Sequence, residues 1–302
     1  MVLGSKAFTP ITEEEYLKIK DARSALYECL FMEEKFDFLV ENYLEFETTL
    51  LESTVHDMIL QDQNYRWFNL ERGLFNRRLA NLLSAGRTYI DHMKQHIDRI
   101  FHNRSINPFD INVELSKQYD LRFGYRCMET LRNYVQHCGF PVHMLSFQRN
   151  RVERQNKNLF QFAIIPYLRP KDLKEDDGFK KKILKEMEAM GEEIDLKFLV
   201  RDYMEGLSIV HSEVRKHVHQ ECAEWEYIIS EAIERYKLNN PEEDTVLGLS
   251  AIIRTEEGLY KDDIALFMDF IDLRKYFEKK NNTLTNLTRR FATNEIIEKD
   301  KT

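Results

Sequence analysis

The chain has 302 residues with only 10 Gly, 6 Pro and four scattered Cys; 32% of its residues are charged, and its net charge is −8. Few Gly and Pro together with many charges favour a helical protein over a β-sandwich or barrel, and 12% aromatic residues argue against disorder. No signal-peptide pattern, no apolar run of about 18 residues and no Cys-x-x-Cys spacing is found, so we expect a cytoplasmic protein with reduced thiols and no membrane partner.

The pattern of the first 60 residues predicts helical structure from about residue 13. Thr12 followed by Glu15 forms a capping box, in which each side chain bonds the backbone N–H of the other, so a helix should begin near residue 13. From about 33 to 60, apolar residues recur at helical spacing, which predicts a helix facing the core. This apolar set is Phe36, Leu39, Val40, Tyr43, Leu44, Phe46, Leu50, Leu51, Val55, Met58 and Ile59.

The segment 64–103 predicts a second long helix. On it, His92 and His96 are four residues apart, a spacing that can bind a metal. No Glu accompanies the first His and no third ligand is evident, so ordinary helix histidines are the alternative to a metal-dependent enzyme. The same alternatives hold for the cluster of His211, His217, His219 and Cys222 further along the chain. We predict no metal site.

A third helix is predicted from about 111 to 137, after a loop at 103–110. Gly139 just beyond it and Pro141 two residues later are a strong signal for the end of a helix. The helix should therefore include His137 in its last turn.

Those last turns contain Arg132, Asn133 and His137, in the pattern Arg-Asn-x-x-x-His. The Arg-x4-His spacing alone is not specific, because Arg87 and His92 share it with Thr after the Arg. On a regular helix Asn133 and His137 share a face, whereas Arg132 and His137 point about 140° apart. The two can act on one atom only if the helix unwinds near His137 or if two subunits combine their side chains.

This pattern resembles the active-site motif of the HEPN superfamily of helical ribonucleases, over roughly residues 35–140. The resemblance implies a dimeric antiparallel helical bundle that joins the motifs of two subunits and cleaves RNA without metal or cofactor. Arg132 would contact the scissile phosphate, and His137 would act as base or acid while the ribose 2′-hydroxyl attacks. Asn133 would orient the His or the phosphate. Many members are toxins or anti-phage defence effectors, so an antitoxin or regulatory protein is a possible partner.

The distribution of charge agrees with RNA as a partner. Residues 64–157 hold 16 Lys or Arg and 8 Asp or Glu, a net charge of +8, between segments of −9 and −7. A positive segment attracts phosphates, although helical bundles also carry such asymmetry without a ligand. The resemblance to HEPN proteins also implies polar contacts to RNA from the long helix before the motif, and the candidates here are Arg72, Asn76 and Arg77.

A β-hairpin is predicted after the motif, with strands at 142–147 and 159–168. The polar run 148–157 between them would be a basic tip. In the RNA interpretation its cations bind phosphates beside the active site; the alternative is a solvated loop. These cations are Arg149, Arg151, Arg154 and Lys157.

A charge-mixed segment at 171–182 follows two prolines and is the best candidate for a boundary. We predict a HEPN-like bundle with the hairpin at 1–170 and a C-terminal helical region, for dimerisation or regulation, at 171–302. The latter should contain helices at 194–237 and about 261–280, with a short strand within 245–253. The predicted fold is mainly α, an antiparallel helical bundle with one β-hairpin and additional C-terminal helices. The alternative function is a catalytically inactive helical module that binds a protein or RNA.

Overall fold

The structure, a computed structural model, describes residues 7–61, 64–101, 109–154, 157–174, 179–243 and 246–293. Its helices are α1 (Glu13–Leu60), α2 (Tyr65–Ile100), α3 (Ile111–Leu121), α4 (Phe123–His137), α5 (Pro170–Leu173), α6 (Lys181–Met190), α7 (Leu196–Asn239) and α8 (Asp269–Lys280). Its strands are β1 (Met144–Arg154), β2 (Lys157–Leu168), β3 (Ile194–Asp195), β4 (Ser250–Arg254) and β5 (Tyr260–Ala265), and a 3-10 turn spans Leu287–Arg289. The predicted mainly α class is confirmed. Within these ranges, no helix combines the length and the apolar character that a membrane crossing requires.

The predicted capping box opens α1. The Thr12 N–H donates to Glu15 Oε2 at 2.7 Å, and the Glu15 N–H donates to Thr12 Oγ1 at 3.2 Å. These bonds satisfy two donors that a helix start would otherwise leave unpaired. The helix then runs for 48 residues without a break, so the two helical segments predicted up to residue 60 are one helix.

The apolar residues between 33 and 60 lie on two faces of α1. One set is buried, as predicted, and includes Phe36, Leu39, Tyr43, Phe46 and Leu50. The other set is exposed to solvent and consists of Leu44, Leu51, Val55, Met58 and Ile59. The prediction that the whole set faces the core is therefore wrong for these five residues.

The helix predicted at 111–137 is divided into α3 and α4 by Arg122, whose backbone is extended. The Asp202 carboxylate on α7 holds this junction, because it accepts hydrogen bonds from Arg122 Nη1 and from the Gly124 N–H, each at 2.8 Å. A Cβ atom on Gly124 would lie 2.6 Å from the carbonyl oxygen of Leu199. Only Gly lets the start of α4 approach α7 this closely.

The predicted hairpin is confirmed, but its strands are longer than expected. β1 and β2 pair in continuous antiparallel register from Met144 opposite Tyr167 to Arg154 opposite Lys157. Residues 148–154 and 157 of the polar run thus belong to the strands rather than to a long tip, and residues 155 and 156 lie outside the described residues. The short strand β3 adds to the other edge of β2.

A second hairpin, β4–β5, lies where the sequence predicted a short strand within 245–253 and then a helix from about residue 261. Gly258 forms the turn with a φ of +79°, and its N–H donates to the Thr255 carbonyl oxygen at 2.9 Å. Because Tyr260–Ala265 is a strand, the last helix begins at Asp269 and not near residue 261.

Two compact units make up the chain. Unit 1 comprises Met1–Glu41, Ala85–Asn112 and His211–Asn282; unit 2 comprises Asn42–Ser84, Val113–Val210 and Thr283–Thr302. Each unit draws residues from both predicted regions, 1–170 and 171–302, and that division stays a prediction. The Arg-Asn-x-x-x-His motif and the first hairpin belong to unit 2.

A buried polar cluster braces unit 1. Arg215 donates through Nε and Nη2 to the two carboxylate oxygens of Glu33 at 2.8 and 2.5 Å, and His211 Nε2 lies 3.2 Å from Glu33 Oε2. Burial opposes ionisation of Glu33, but the charges and hydrogen bonds of His211 and Arg215 outweigh it and lower its pKa to about 2. His211 is fully buried against the ring of Phe36. It is therefore a structural residue and not an exposed helix histidine.

Candidate functional site

The last turns of α4 carry Arg132, Asn133 and His137 on a helix that remains regular. Its inner face is anchored by buried side chains such as Met128 and Leu131. The Cys138 N–H donates to the Tyr134 carbonyl oxygen at 2.8 Å, the spacing of an α-helical hydrogen bond. The predicted helix end is thus confirmed, and the helix does not unwind before His137.

Arg132 is half-buried, and no charge among the described residues compensates its own. Its Nη1 donates to Asn133 Oδ1 at 3.1 Å, and its Nε is buried without a hydrogen-bond partner among the described residues. No carboxylate among the described residues forms an ion pair with Arg132. By contrast, Arg126 on the same helix binds Glu186, with Nη2 and Oε2 2.8 Å apart. A partly buried guanidinium with an unsatisfied N–H is a favourable place for an anion.

His137 is exposed at the end of α4. Within the described ranges, neither a hydrogen bond nor an ion pair joins it to Arg132. The regular helix explains this separation, because residues five apart point about 140° away from each other. One chain therefore brings Arg132 together with Asn133 but not with His137.

The three candidate RNA contacts on α2 differ in accessibility. Asn76 is buried, accepts the Val142 N–H at 2.9 Å and donates to the Val142 carbonyl oxygen at 3.3 Å. It holds the segment that follows α4, and it cannot also reach an RNA. Arg72 donates to Asn69 at 3.1 Å and lies 6.0 Å from the ring of Phe68. Arg77 is exposed.

The hairpin arginines differ in the same way. Arg149 binds the buried carboxylate of Asp57, with Nη2 and Oδ1 2.6 Å apart, so its guanidinium serves the fold. Arg151 is exposed and donates to Asn158 at 3.1 Å. The side chains of Arg154 and Lys157 lie outside the described residues.

Besides His211, two of the side chains considered as metal ligands, His96 and Cys222, have other partners within the protein. His96 is buried, and its Nδ1 lies 2.6 Å from Glu28 Oε2; burial lowers the pKa of His96. Cys222 is also buried, with its Sγ 3.4 Å from that of Cys29. Over the described ranges, no three His, Cys, Asp or Glu side chains are grouped so that they could hold a metal ion.

Sequence reasoning missed the carboxylates that hold this region together. Asp57 lies seven residues after Leu50 on the buried face of α1, and Asp202 directly precedes the buried Tyr203 on α7. Each of these carboxylates lies at or beside the apolar face of its helix, and that position is the signal that would have identified it. A buried charge is almost always paired, so such a carboxylate predicts a partner cation.

No protein-family model, curated protein or solved structure matches the chain.

Proposed function

We propose that the chain is a metal-independent endoribonuclease of HEPN type, with Arg132, Asn133 and His137 as its catalytic residues. The observation that carries this proposal is the state of Arg132. Its charge has no carboxylate partner among the described residues, its Nε is unsatisfied, and Asn133 orients it at the end of α4. A scissile phosphate would supply the missing acceptors.

The active site combines two subunits in this proposal. Since α4 stays helical through His137, Arg132 and His137 of one chain diverge and do not meet on one phosphate. In a symmetric dimer whose helix ends face each other, Arg132 of one subunit can meet His137 of the other.

The chemistry requires no metal. The ribose 2′-oxygen attacks the adjacent phosphorus as His137 accepts its proton, and the bond to the 5′-oxygen breaks. A water molecule gives a proton to the departing 5′-oxygen, and His137 then releases the proton it accepted to solvent, so that each site needs one Arg132 and one His137. Arg132 stabilises the negative charge that develops on the phosphate. The products are a 2′,3′-cyclic phosphate and a 5′-hydroxyl.

The RNA would extend from this centre over the accessible cations of unit 2. Arg72, Arg77 and Arg151 remain candidates for phosphate contacts, because none of them is bound to a carboxylate among the described residues. Cleavage of cellular RNA would stop growth, so the proposed role is a toxin or defence effector restrained by a partner.

A cleavage assay in EDTA tests the proposal. Single-stranded RNA is incubated with wild type, Arg132→Ala or His137→Ala, and the product ends are identified. We expect cyclic-phosphate products from wild type and a loss of rate of about 100-fold or more in each variant. The control is the double variant Arg87→Ala with His92→Ala, which should cleave RNA at the wild-type rate. Arg87 and His92 have the same spacing as Arg132 and His137, but Arg87 is paired with Asp91 at 2.8 Å.

Two results would refute the proposal that the protein is a nuclease. One is RNA left intact by wild type under all conditions, and the other is normal cleavage by both motif variants. RNA or protein binding without cleavage would instead support the inactive helical module.

A further inference from the structure

The C-terminal half of α1 has an outer apolar face that the described residues leave uncovered. Its members are between 46% and 65% exposed; they are Leu44, Leu51, Val55, Met58 and Ile59. At 100° per residue they centre on the side of the helix opposite to the buried Phe46, Leu50 and Asp57. We name these five exposed residues the outer stripe. All of them belong to unit 2.

The outer stripe has the spacing of a coiled-coil seam. Positions 44, 48, 51, 55 and 58 alternate steps of four and three residues, which is the a/d repeat of a heptad. Four of these five positions are apolar, namely Leu44, Leu51, Val55 and Met58, and the fifth is Thr48. The seam is about 21 Å long at a rise of about 1.5 Å per residue, enough to hold several side chains of a partner helix.

Acidic residues border the seam. Glu45 and Glu52 follow its d positions, and residues 42–60 contain four Asp or Glu and no Lys or Arg. Glu45 pairs with Arg78 but remains half exposed. Glu52 is exposed, and within the described ranges it forms no ion pair. Charges beside a seam select the partner, because opposite charges on the facing helix favour association.

We propose that the outer stripe binds an amphipathic helix of a partner protein whose flanking positions carry Lys or Arg. A second copy of the same segment fits poorly, since it would add only carboxylates to a border that is already acidic. The stripe and its border are independent of Arg132 and His137, so this proposal does not rest on RNA cleavage.

Binding of two synthetic peptides to the full chain tests the proposal. Both peptides contain three heptads with Leu at a and d; one carries Lys and the other Glu at the flanking positions. Fluorescence anisotropy should show the Lys peptide binding at least about tenfold more tightly, with a difference that shrinks at high salt.

Three variants locate the binding site. Leu51→Gln with Val55→Gln should weaken binding of the Lys peptide by about tenfold or more, because the seam loses its apolar centre. Glu52→Lys should weaken binding of the Lys peptide and strengthen binding of the Glu peptide. Leu70→Gln changes an exposed leucine on α2 and should have no effect. All of these side chains are exposed, so unchanged melting temperatures are expected.

The proposal fails if neither peptide binds or if both bind equally. It also fails if Leu70→Gln weakens binding of the Lys peptide as much as Leu51→Gln with Val55→Gln does. It also fails if Leu51→Gln with Val55→Gln converts a dimer to a monomer in sedimentation. That result would assign the stripe to a second copy of the chain.

Discussion

At the residue scale, Asn76 shows how a buried amide fixes a segment beside the candidate site. Its side chain satisfies both the N–H and the carbonyl oxygen of Val142, five residues after His137. Both backbone groups are removed from water, since Val142 is buried. A buried backbone group left unpaired costs about 1–3 kcal/mol.

Asn76→Ala should therefore lower the free energy of unfolding by about 2–4 kcal/mol. Urea denaturation measures this change. The matched control is Arg77→Ala at the neighbouring exposed position, which should stay within about 0.5 kcal/mol of wild type. Equal denaturation midpoints for the two variants would contradict the role assigned to Asn76.

Sequence spacing found the residues of the motif but did not separate accessible polar residues from internal ones. Asn76 and Arg149 were predicted to contact RNA, yet they bond to Val142 and Asp57, 66 and 92 positions away along the chain. Such partners are set by tertiary packing, which helical periodicity does not encode. Arg72, Arg77 and Arg151 match the same basic pattern and remain without carboxylate partners among the described residues.

At the scale of elements, local sequence signals were sufficient where an element is fixed by contacts between residues close together in the sequence. The Thr12–Glu15 capping box and the end of α4 at His137 were predicted because their partners lie within four residues. The β4–β5 hairpin was missed because Ile264, Leu266 and Phe267 resemble an apolar helix start. The Glu256-Glu257-Gly258 turn was the signal that would have corrected it.

The start of α4 depends on its contact with α7 at Gly124. A methyl group there would lie 2.6 Å from the Leu199 carbonyl oxygen and 2.7 Å from Asp202 Cβ. Gly73 on α2 offers a matched control, since nothing lies within 4 Å of the added carbon.

We expect opposite effects of the two Gly→Ala changes in thermal or urea unfolding. Gly124→Ala should destabilise the protein by about 1–3 kcal/mol, because α4 must shift. Gly73→Ala should stabilise it by about 0.5–1 kcal/mol, because Ala favours the helix. A neutral or stabilising Gly124→Ala would show that the close approach of α4 to α7 is not required.

At the scale of the whole molecule, the proposed chemistry depends on assembly. The single chain holds Arg132 and Asn133 together and leaves His137 apart on a regular helix. Two conditions follow for activity: a second copy must be present, and its α4 end must face the first. The helical repeat alone predicted that Arg132 and His137 of one chain point apart, whereas the composite site stays a prediction. The division into two units, each built from separate stretches of the sequence, depends on long-range contacts that no local pattern reveals.

The most direct test is complementation between inactive subunits. Differently tagged Arg132→Ala and His137→Ala chains are co-expressed and assayed for RNA cleavage in EDTA, with each variant alone as control. If Arg132 of one subunit works with His137 of the other, every heterodimer has one intact site. Random pairing then restores about a quarter of wild-type activity. An active wild type whose mixture stays as inactive as the single variants would contradict the composite site.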